Sequence, residues 1–430
     1  METILLKKHW SIPECWKLDV YREKTEFGYR VAEHVIKNMK REDIIEEVKK
    51  AGLRGRGGAG FPTGMKWSFV PKASKKPVYL INNADEGEPG TFKDRFIMEL
   101  DPHMMIEGMI IAAWALNCHT AYIYIRGEFN LPVKRTDAAL AEAYKAGYLG
   151  KNIFGTDFHL DMYTHPGAGA YICGEETGLI SSLEGKRANP RLKPPFPAVQ
   201  GLFDSPTVVN NTETLACLPY IMKHGAAGYR KFGTEKSAGT KLFTVSGHVM
   251  KPGVYELPLG FPLKDLIFDV CGGMRPGRTL KAVIPGGSSA KILTAEEALK
   301  ATMDYENLAS LNTMLGSGGV IVMDDSTDMV QALKVLSRFY AHESCGQCTP
   351  CREGTRWLDD IVGRILRGTA RLEDLDKLED VCYNMTGTTI CALSEAAVWP
   401  VQSFILKFRK EFEDYIKKGP QPGMEHHAAH

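Results

Sequence analysis

Cys345, Cys348 and Cys351 stand at Cys-x2-Cys-x2-Cys spacing in the run Ser-Cys-Gly-Gln-Cys-Thr-Pro-Cys-Arg. Three thiolates so placed suit three corners of one iron–sulfur cubane. A fourth ligand has to come from elsewhere. Among the 10 cysteines the best later candidate is Cys391, which sits at a Gly/Thr-rich break between two helical patterns. Four cysteinyl ligands suit a [4Fe–4S] cluster. The competing reading is a zinc site, but structural zinc sites usually pair two short Cys knuckles, whereas here three cysteines share one run. Cys15, Cys118, Cys173, Cys217, Cys271 and Cys382 are scattered without a disulfide-like framework, as buried free thiols in a reducing compartment would be.

Four further constellations carry residues suited to a phosphorylated or heterocyclic ligand. Gly52 to Gly64 holds six glycines in 13 residues, with Arg54, Arg56 and then Lys66 interleaved. Such a loop lets backbone N–H groups approach an anion while cations offset its charge. It is neither a Walker loop nor a clean Gly-x-Gly-x-x-Gly, because no strand directly precedes it and no Gly-Lys-Ser/Thr follows. In Asn82 to Arg95, Asn83 and Asp85 can hydrogen-bond a polar heterocycle and Glu88 can accept from a carboxamide. The run His165 to Thr177 puts Tyr171 and Gly174-Glu-Glu176 at a helix start. Arg191 to Pro197 is a stiff proline-rich segment that would hold Lys193 and Phe196 rigidly. Taken singly, each has a plainer reading: flexible connector, acidic turn, glycine-rich helix entry or linker.

These residues need elements to position them. Two helical patterns between about Val31 and Ala51 lead into the glycine cluster. Short β-rich runs (Pro77–Asn82, Ala121–Arg126, Phe158–Tyr163) then alternate with helical ones (Met104–Leu116, Val133–Gly147, Glu175–Leu183). Alternation of this kind predicts a parallel α/β sheet, with the Asn82 run at a strand's carboxyl end, where such sheets bind ligands. From Thr240 the texture becomes hairpin (Leu242–Val249, Val254–Leu257), helix (Leu263–Cys271) and further strands at Lys281–Ile284 and Val320–Met323, a small α+β module of β-grasp type. After Asp324 four helical patterns follow, the first capped by Asp325, Ser326 or Thr327 and the last running from Ala392 to about Ile416. A four-helix bundle places the Cys345 array in its first connection and Cys391 in its third, so that both meet at one end. The expected domains are 1–239, 240–323 and 324–418; the tail 419–430, ending in Glu425-His-His-Ala-Ala-His430, reads as an appended tag.

The 430 residues are long enough for two or three such modules. With 53 Lys+Arg against 52 Asp+Glu, no field of one sign argues for nucleic acid or an anionic membrane as partner. The longest apolar stretch, Met109 to Leu116, is far short of the ~20 residues of a bilayer span, so no direct membrane insertion is expected.

The four constellations, in this order and followed by the cysteine array, closely resemble the NADH-oxidising flavoprotein subunit of respiratory complex I, from about Leu53 to Phe408. The resemblance implies a Rossmann-like α/β domain in which FMN and NADH share one pocket, a ubiquitin-like β-grasp (SLBB) module, and a helical bundle carrying a [4Fe–4S] cluster. By the same resemblance, Gly55, Arg56, Gly57 and Lys66 belong to the flavin loop, Asn83 and Asp85 to flavin polar contacts, and Gly174, Glu175, Asn210, Asn211 and Thr214 to the rest of the FMN site. Glu88 faces the nicotinamide carboxamide and Tyr171 packs near the flavin ring. Phe61, Phe69 and Phe196 offer surfaces for adenine, while Glu176 and Lys193 hold the adenosine half. Cys345, Cys348, Cys351 and Cys391 match the cluster ligands, leaving Cys382 as a buried bystander. One departure is Gly87, where many relatives carry serine; glycine there would let the Glu86–Gly87 peptide turn over when the flavin's charge changes.

The activity implied is hydride transfer from NADH to FMN and one-electron exit through the cluster, the protein supplying position and electrostatics. The implied partners are a thioredoxin-like [2Fe–2S] subunit and a large multi-cluster iron–sulfur subunit of complex I. The expected location is cytoplasmic, in a peripheral arm held at the inner membrane through them. The alternative is the diaphorase subunit of a soluble NAD-reducing hydrogenase or formate dehydrogenase. Those relatives often add a thioredoxin-like or two-cluster ferredoxin domain, whereas here Cys15 stands alone early and no cysteine follows Cys391. A non-catalytic iron–sulfur scaffold is the reading from another class, and it predicts no flavin.

Overall fold

The computed structural model describes residues 6–420, and the tail from Glu425 lies outside them. The first sheet is wholly parallel, in the order β3-β2-β1-β4, from β1 (Val78–Ala84), β2 (Cys118–Ile125), β3 (Asp161–Pro166) and β4 (Thr207–Asn211). Parallel strands end on one edge of the sheet. The neighbours of β1 lie on opposite sides, which opens a crevice at the carboxyl ends of β1 and β4, where Asn82 pairs with Asn210 and Asn83 with Asn211. Strand β4 escaped the sequence reading: Thr-Val-Val-Asn-Asn is short, follows a proline and shows no alternation.

Behind the sheet runs the helix Pro102–Leu116, buried on nearly every side. Asp101 caps it by accepting from Met104 N, and Pro102 supplies a pre-set φ at the first turn. Gly108 lets the short helix Thr212–Ala216 cross at contact: a Cβ there would stand 2.0 Å from Leu215 O, a backbone atom that cannot swing aside. Gly108→Ala is therefore expected to cost about 1–3 kcal/mol. Thermal unfolding read by circular dichroism checks this, and an unchanged midpoint would contradict it.

The second sheet has the order β6-β5-β11-β8-β9, from β5 (Thr240–Gly247), β6 (Gly253–Pro258), β8 (Leu280–Ile284), β9 (Leu293–Thr294) and β11 (Gly319–Asp324). A small pair, β7 (Phe261–Pro262) with β10 (Thr302–Met303), stands beside it. Its first and last strands pair in parallel at the centre, the β-grasp arrangement. Alternation gives the sheet two employers: Val283 of β8 faces the module's own core, whereas Ala282 and Ile284 face the helical bundle. The helix expected over Leu263–Cys271 is instead three α-helical residues followed by a π turn over Leu266–Val270, closed by Cys271 N on Leu266 O.

The bundle comprises Met329–Glu343, Thr349–Leu366, Glu373–Met385 and Leu393–Lys418. Its first helix starts later than expected. Asp324 spends its carboxylate on Ser326 N and Oγ, closing a turn, and Asp328 becomes the cap by accepting from Gln331 N. The first and third connections of such an up-and-down bundle fall at the same end.

Candidate functional site

The crevice widens into a cavity of about 410 Å³ to which all three modules contribute. Its floor is the glycine loop. Gly55 N bonds Phe61 O and Thr63 N bonds Leu53 O, so the loop is pinned at its neck and presents Gly57, Gly58 and Ala59 at its tip. Gly58 has φ of +135°, a conformation that side chains rarely adopt, and a Cβ at Gly57 would stand 3.2 Å from the Asn211 side chain.

The loop's cations, expected to offset the charge of an anion, are held by protein partners. Arg54 pairs with Glu306 at 2.7 Å and lies 3.8 Å over the Tyr305 ring, tying the loop to the β-grasp module. Lys66 Nζ donates to Val209 O at 2.7 Å. Arg56 is fully buried: its backbone N donates to Thr214 Oγ1, and its Nη2 to Tyr229 OH and the carbonyls of Ala238 and Thr240. Its Nε and Nη1 find no partner among the described residues, so at the loop tip these two nitrogens and the backbone amides are left for an anion.

Asn83, Asp85, Glu88, Gly174, Glu175 and Asn211 line the same cavity. Asn83 Nδ2 donates to Gly174 O at 2.8 Å, locking the end of β1 to the second glycine segment. Glu175 caps the helix Glu176–Leu183 by accepting from Thr177 N and Gly178 N, and Asn211 caps Thr212–Ala216 by accepting from Glu213 N. Gly55, Lys66, Asn210 and Thr214 stand behind the lining: Tyr305 OH donates to Gly55 O, and Asn210 Oδ1 accepts from Trp67 Nε1. The Glu86 carbonyl, beside Gly87, is taken by Arg126 Nη1 at 2.9 Å.

The donor set fits a flavin. Among the described residues Asp85 Oδ1, Asn210 Nδ2 and two nitrogens of Arg56 are buried with no partner, an uncommon state that asks for a polar ligand. Burial pushes the Asp85 carboxyl up to about 7 despite Arg126 nearby, so a ring N–H donor would find there an acceptor that lacks a partner.

At the cavity's outer side, Lys193 bridges Glu175 at 3.0 Å and Glu176 at 2.7 Å. Burial draws its amine down, but the two carboxylates outweigh this and raise it. Phe61, Phe69 and Phe196 stay roughly half exposed and outside the cavity proper, with Phe61 and Phe69 at 6.1 Å between ring centroids. Lys66 feels the charges of Glu176 and Lys193, which brings the Phe61–Lys66 segment beside that pair.

Tyr171 connects the cavity to the cysteines. Its hydroxyl donates to Glu88 Oε2 at 2.5 Å, its N donates to Glu343 of the bundle, and its ring packs among Ile172, Leu393 and the cysteine group. Burial and the Glu88 carboxylate keep its phenol well above the usual range. Cys345, Cys348, Cys351 and Cys391 pack in one group, and Cys391 also lines the cavity. Ile390 N donates to Cys348 Sγ at 3.4 Å and Ser344 Oγ lies 3.2 Å from Cys351 Sγ, contacts of the kind that tune cluster thiolates. Among the described residues no three metal-ligating side chains stand close enough to share one ion. Cys382 is fully buried in the bundle core, away from this group.

The sequence reading missed the charged layer beneath the cavity. Lys93 lines the cavity yet is buried, bonding Asp94 at 2.7 Å and Glu213 at 2.9 Å; Glu213 also meets Lys241 at 3.4 Å and accepts from Leu242 N. It also missed Ser288 and Ser289, which reach Glu88 from the β-grasp module. No local pattern marks residues whose partners lie this far along the chain.

Residues 48–220 match the Nuo51 FMN-binding domain family, 241–329 the SLBB domain, and 331–415 the NADH-ubiquinone oxidoreductase-F iron-sulfur binding region. The chain is 51% identical over 417 residues to the second NADH-quinone oxidoreductase F subunit of Rhizobium meliloti, an alignment covering 97% of this chain and 98% of that one. It is 48% identical over 425 residues to the NADH-quinone oxidoreductase F subunit of Mycobacterium tuberculosis, covering 98% and 95%. Among solved structures it resembles a chain of an NAD+-reducing [NiFe]-hydrogenase in the air-oxidized state, with TM-score 0.82 and 39% identity over 93% of this chain and 67% of that one. With three domain families matched in order and half the residues shared along nearly its whole length, the chain belongs to the family of NADH-quinone oxidoreductase F subunits.

Proposed function

We propose that the chain oxidises NADH at bound FMN and passes electrons singly to a [4Fe–4S] cluster, as the electron-input subunit of respiratory complex I. One observation carries this: the cavity lined by the glycine loop, Asp85 and Gly174 is also lined by Cys391, so a flavin site and a cluster ligand share a wall. Bound FMN supplies hydride acceptance from the nicotinamide, and the cluster supplies one-electron uptake.

The chain's own residues bind and orient. Arg56, Gly57, Asn83, Asp85, Gly174, Glu175 and Asn211 hold the flavin, backed by Gly55, Lys66, Asn210 and Thr214. Glu88 accepts from the nicotinamide carboxamide, with Tyr171 beside it. Glu176 and Lys193 take the adenosine half, between Phe61, Phe69 and Phe196. Cys345, Cys348, Cys351 and Cys391 ligate the cluster. Half-exposed aromatic rings around a rigid ion pair suit a dinucleotide that must enter and leave many times each second.

The family works in a multisubunit complex. A thioredoxin-like [2Fe–2S] subunit and a large multi-cluster subunit are the partners we assign, holding the chain in a peripheral arm at the cytoplasmic face. Among the described residues no helix is long and apolar enough to cross a membrane. The likeness to the hydrogenase chain supports a second reading, the diaphorase of a soluble NAD-reducing enzyme. Relatives at about half identity bear the quinone oxidoreductase name, which favours the first.

The test is NADH titration of the purified protein followed by optical and EPR spectra. Bleaching of a flavin band with the appearance of a reduced-cluster signal is expected. Protein that carries iron and sulfide but no flavin would overturn the reading in favour of a scaffold. The partners recovered with the native complex separate complex I from a hydrogenase.

A further inference from the structure

The β-grasp module reaches the cavity through two Gly/Ser loops, Pro285-Gly-Gly-Ser-Ser289 between β8 and β9 and Gly316-Ser-Gly-Gly319 leading into β11. Both close on the Glu88–Thr91 segment of the flavin domain. Ser288 N donates to Pro89 O at 3.1 Å and the hydroxyls of Ser317 and Thr91 pair, while Thr244 Oγ1 of β5 adds a bond to Gly90 O at 2.6 Å. Only glycine serves at position 287, where φ is +93° and a Cβ would stand 2.6 Å from Glu88 Cγ.

This approach engages one oxygen of Glu88. Oε1 accepts from Ser289 N at 2.8 Å and Ser289 Oγ at 2.7 Å, with Ser288 Oγ at 3.3 Å. Ser288 Oγ in turn meets Tyr340 OH of the bundle at 2.7 Å. Among the described residues Oε2 accepts from Tyr171 OH alone. A carboxylate offers about four lone-pair sites. Oε1 is filled, partly by a backbone N–H that cannot rotate away, while Oε2 keeps a vacant site in a residue that lines the cavity.

We infer that Ser288 and Ser289 are positioning residues for the dinucleotide: they hold Glu88 with Oε2 free for an amide N–H donor, so the β-grasp module sets how sharply the pocket separates a carboxamide from an isostere lacking that N–H. This rests on the assignment of Glu88 to the nicotinamide carboxamide. A fixed acceptor left without its donor rejects the wrong ligand; one free to turn away does not.

The test is calorimetric titration of the FMN-loaded full-length protein with NAD+ and with its 3-acetylpyridine analogue, which keeps the carbonyl and loses the N–H. The unaltered protein is expected to bind NAD+ about tenfold more tightly than the analogue, as a hydrogen bond to a charged group implies. The double variant Ser288→Ala/Ser289→Ala, which loses both hydroxyl donors but keeps the backbone N–H at position 289 and the Tyr171 contact, is expected to lower that ratio further than Ser289→Ala alone by weakening NAD+ while leaving the analogue's affinity in place. Ser289→Thr, which retains both donors, should keep the ratio, and Ser289→Ala alone should lower it severalfold, so the outcome does not hang on one variant folding. Flavin content and melting temperature serve as controls. Unaltered protein that does not discriminate would overturn the assignment of Glu88 itself. Discrimination that persists undiminished in the serine-to-alanine variants would overturn this inference and leave that assignment standing.

Discussion

Replacing Cys391 with alanine is expected to abolish the cluster, leaving a chain with far less than four irons and no reduced-cluster EPR signal on NADH addition. The other three cysteines lie within seven residues, and Cys391 alone comes from the far connection of the bundle, so its loss opens the corner that faces the cavity. Cys382→Ala is the matched control. That thiol is buried among bundle side chains, and its truncation should cost about 1 kcal/mol of packing while iron and sulfide content stay at the unaltered level. Iron analysis with low-temperature EPR on both variants decides. A Cys391 variant with full iron and an unchanged signal, or a Cys382 variant that loses both, would reverse the assignment.

Glu213→Ala is expected to destabilise the flavin domain by about 3–5 kcal/mol, against the roughly 5–15 kcal/mol that holds a typical domain together. Burial works to raise the Glu213 carboxyl, yet Lys241, Lys93 and Arg56 together hold it below its ordinary range, so it stays ionised and balances cations that have no water. Removing it leaves the fully buried Lys93 ammonium with one carboxylate partner fewer, and does the same to Lys241 at pH values where that amine is charged. Denaturant unfolding followed by flavin release measures the loss; a midpoint near that of the unaltered protein would refute the account.

The same layer has a pH signature. Burial depresses the Lys241 amine to about 7, outweighing Glu213. Below pH 7 the native protein carries this ammonium buried, and the full penalty is present. Between about 7 and the unfolded value of 10.5 the unfolded chain holds the proton and the native chain does not, so this residue's contribution to stability improves as pH rises through that window. Lys241→Met should flatten that part of the profile.

How much of this was legible beforehand follows from the range of each interaction. The cysteine spacing, the glycine loop, the helix start at Gly174-Glu-Glu176 and the helical periodicity after Asp324 are patterns within a few residues, and such patterns are legible without the fold. Strand β4 was not seen because five residues after a proline carry too little pattern. The cap moved to Asp328 because Asp324, Ser326 and Thr327 close a turn of their own, a competition among neighbours that residue type alone does not rank. Arg54 and Arg56 read as cations that offset an anion's charge, and no local pattern showed that their side chains also bind Glu306, Tyr229 and Thr240 O across the fold.

The sequence by itself determined the three modules and the family resemblance, since these rest on spacing, composition and the position of loops relative to helices. Tertiary structure alone decided what surrounds the chemistry. Ser289 meets Glu88 across 201 positions, and Lys241 meets Glu213 across two domains. Such partners are chosen by how rigid modules dock, and docking depends on which faces the cores leave uncovered rather than on any motif. Only the folded chain could show that the cavity has walls from all three modules, with Cys391 in one of them.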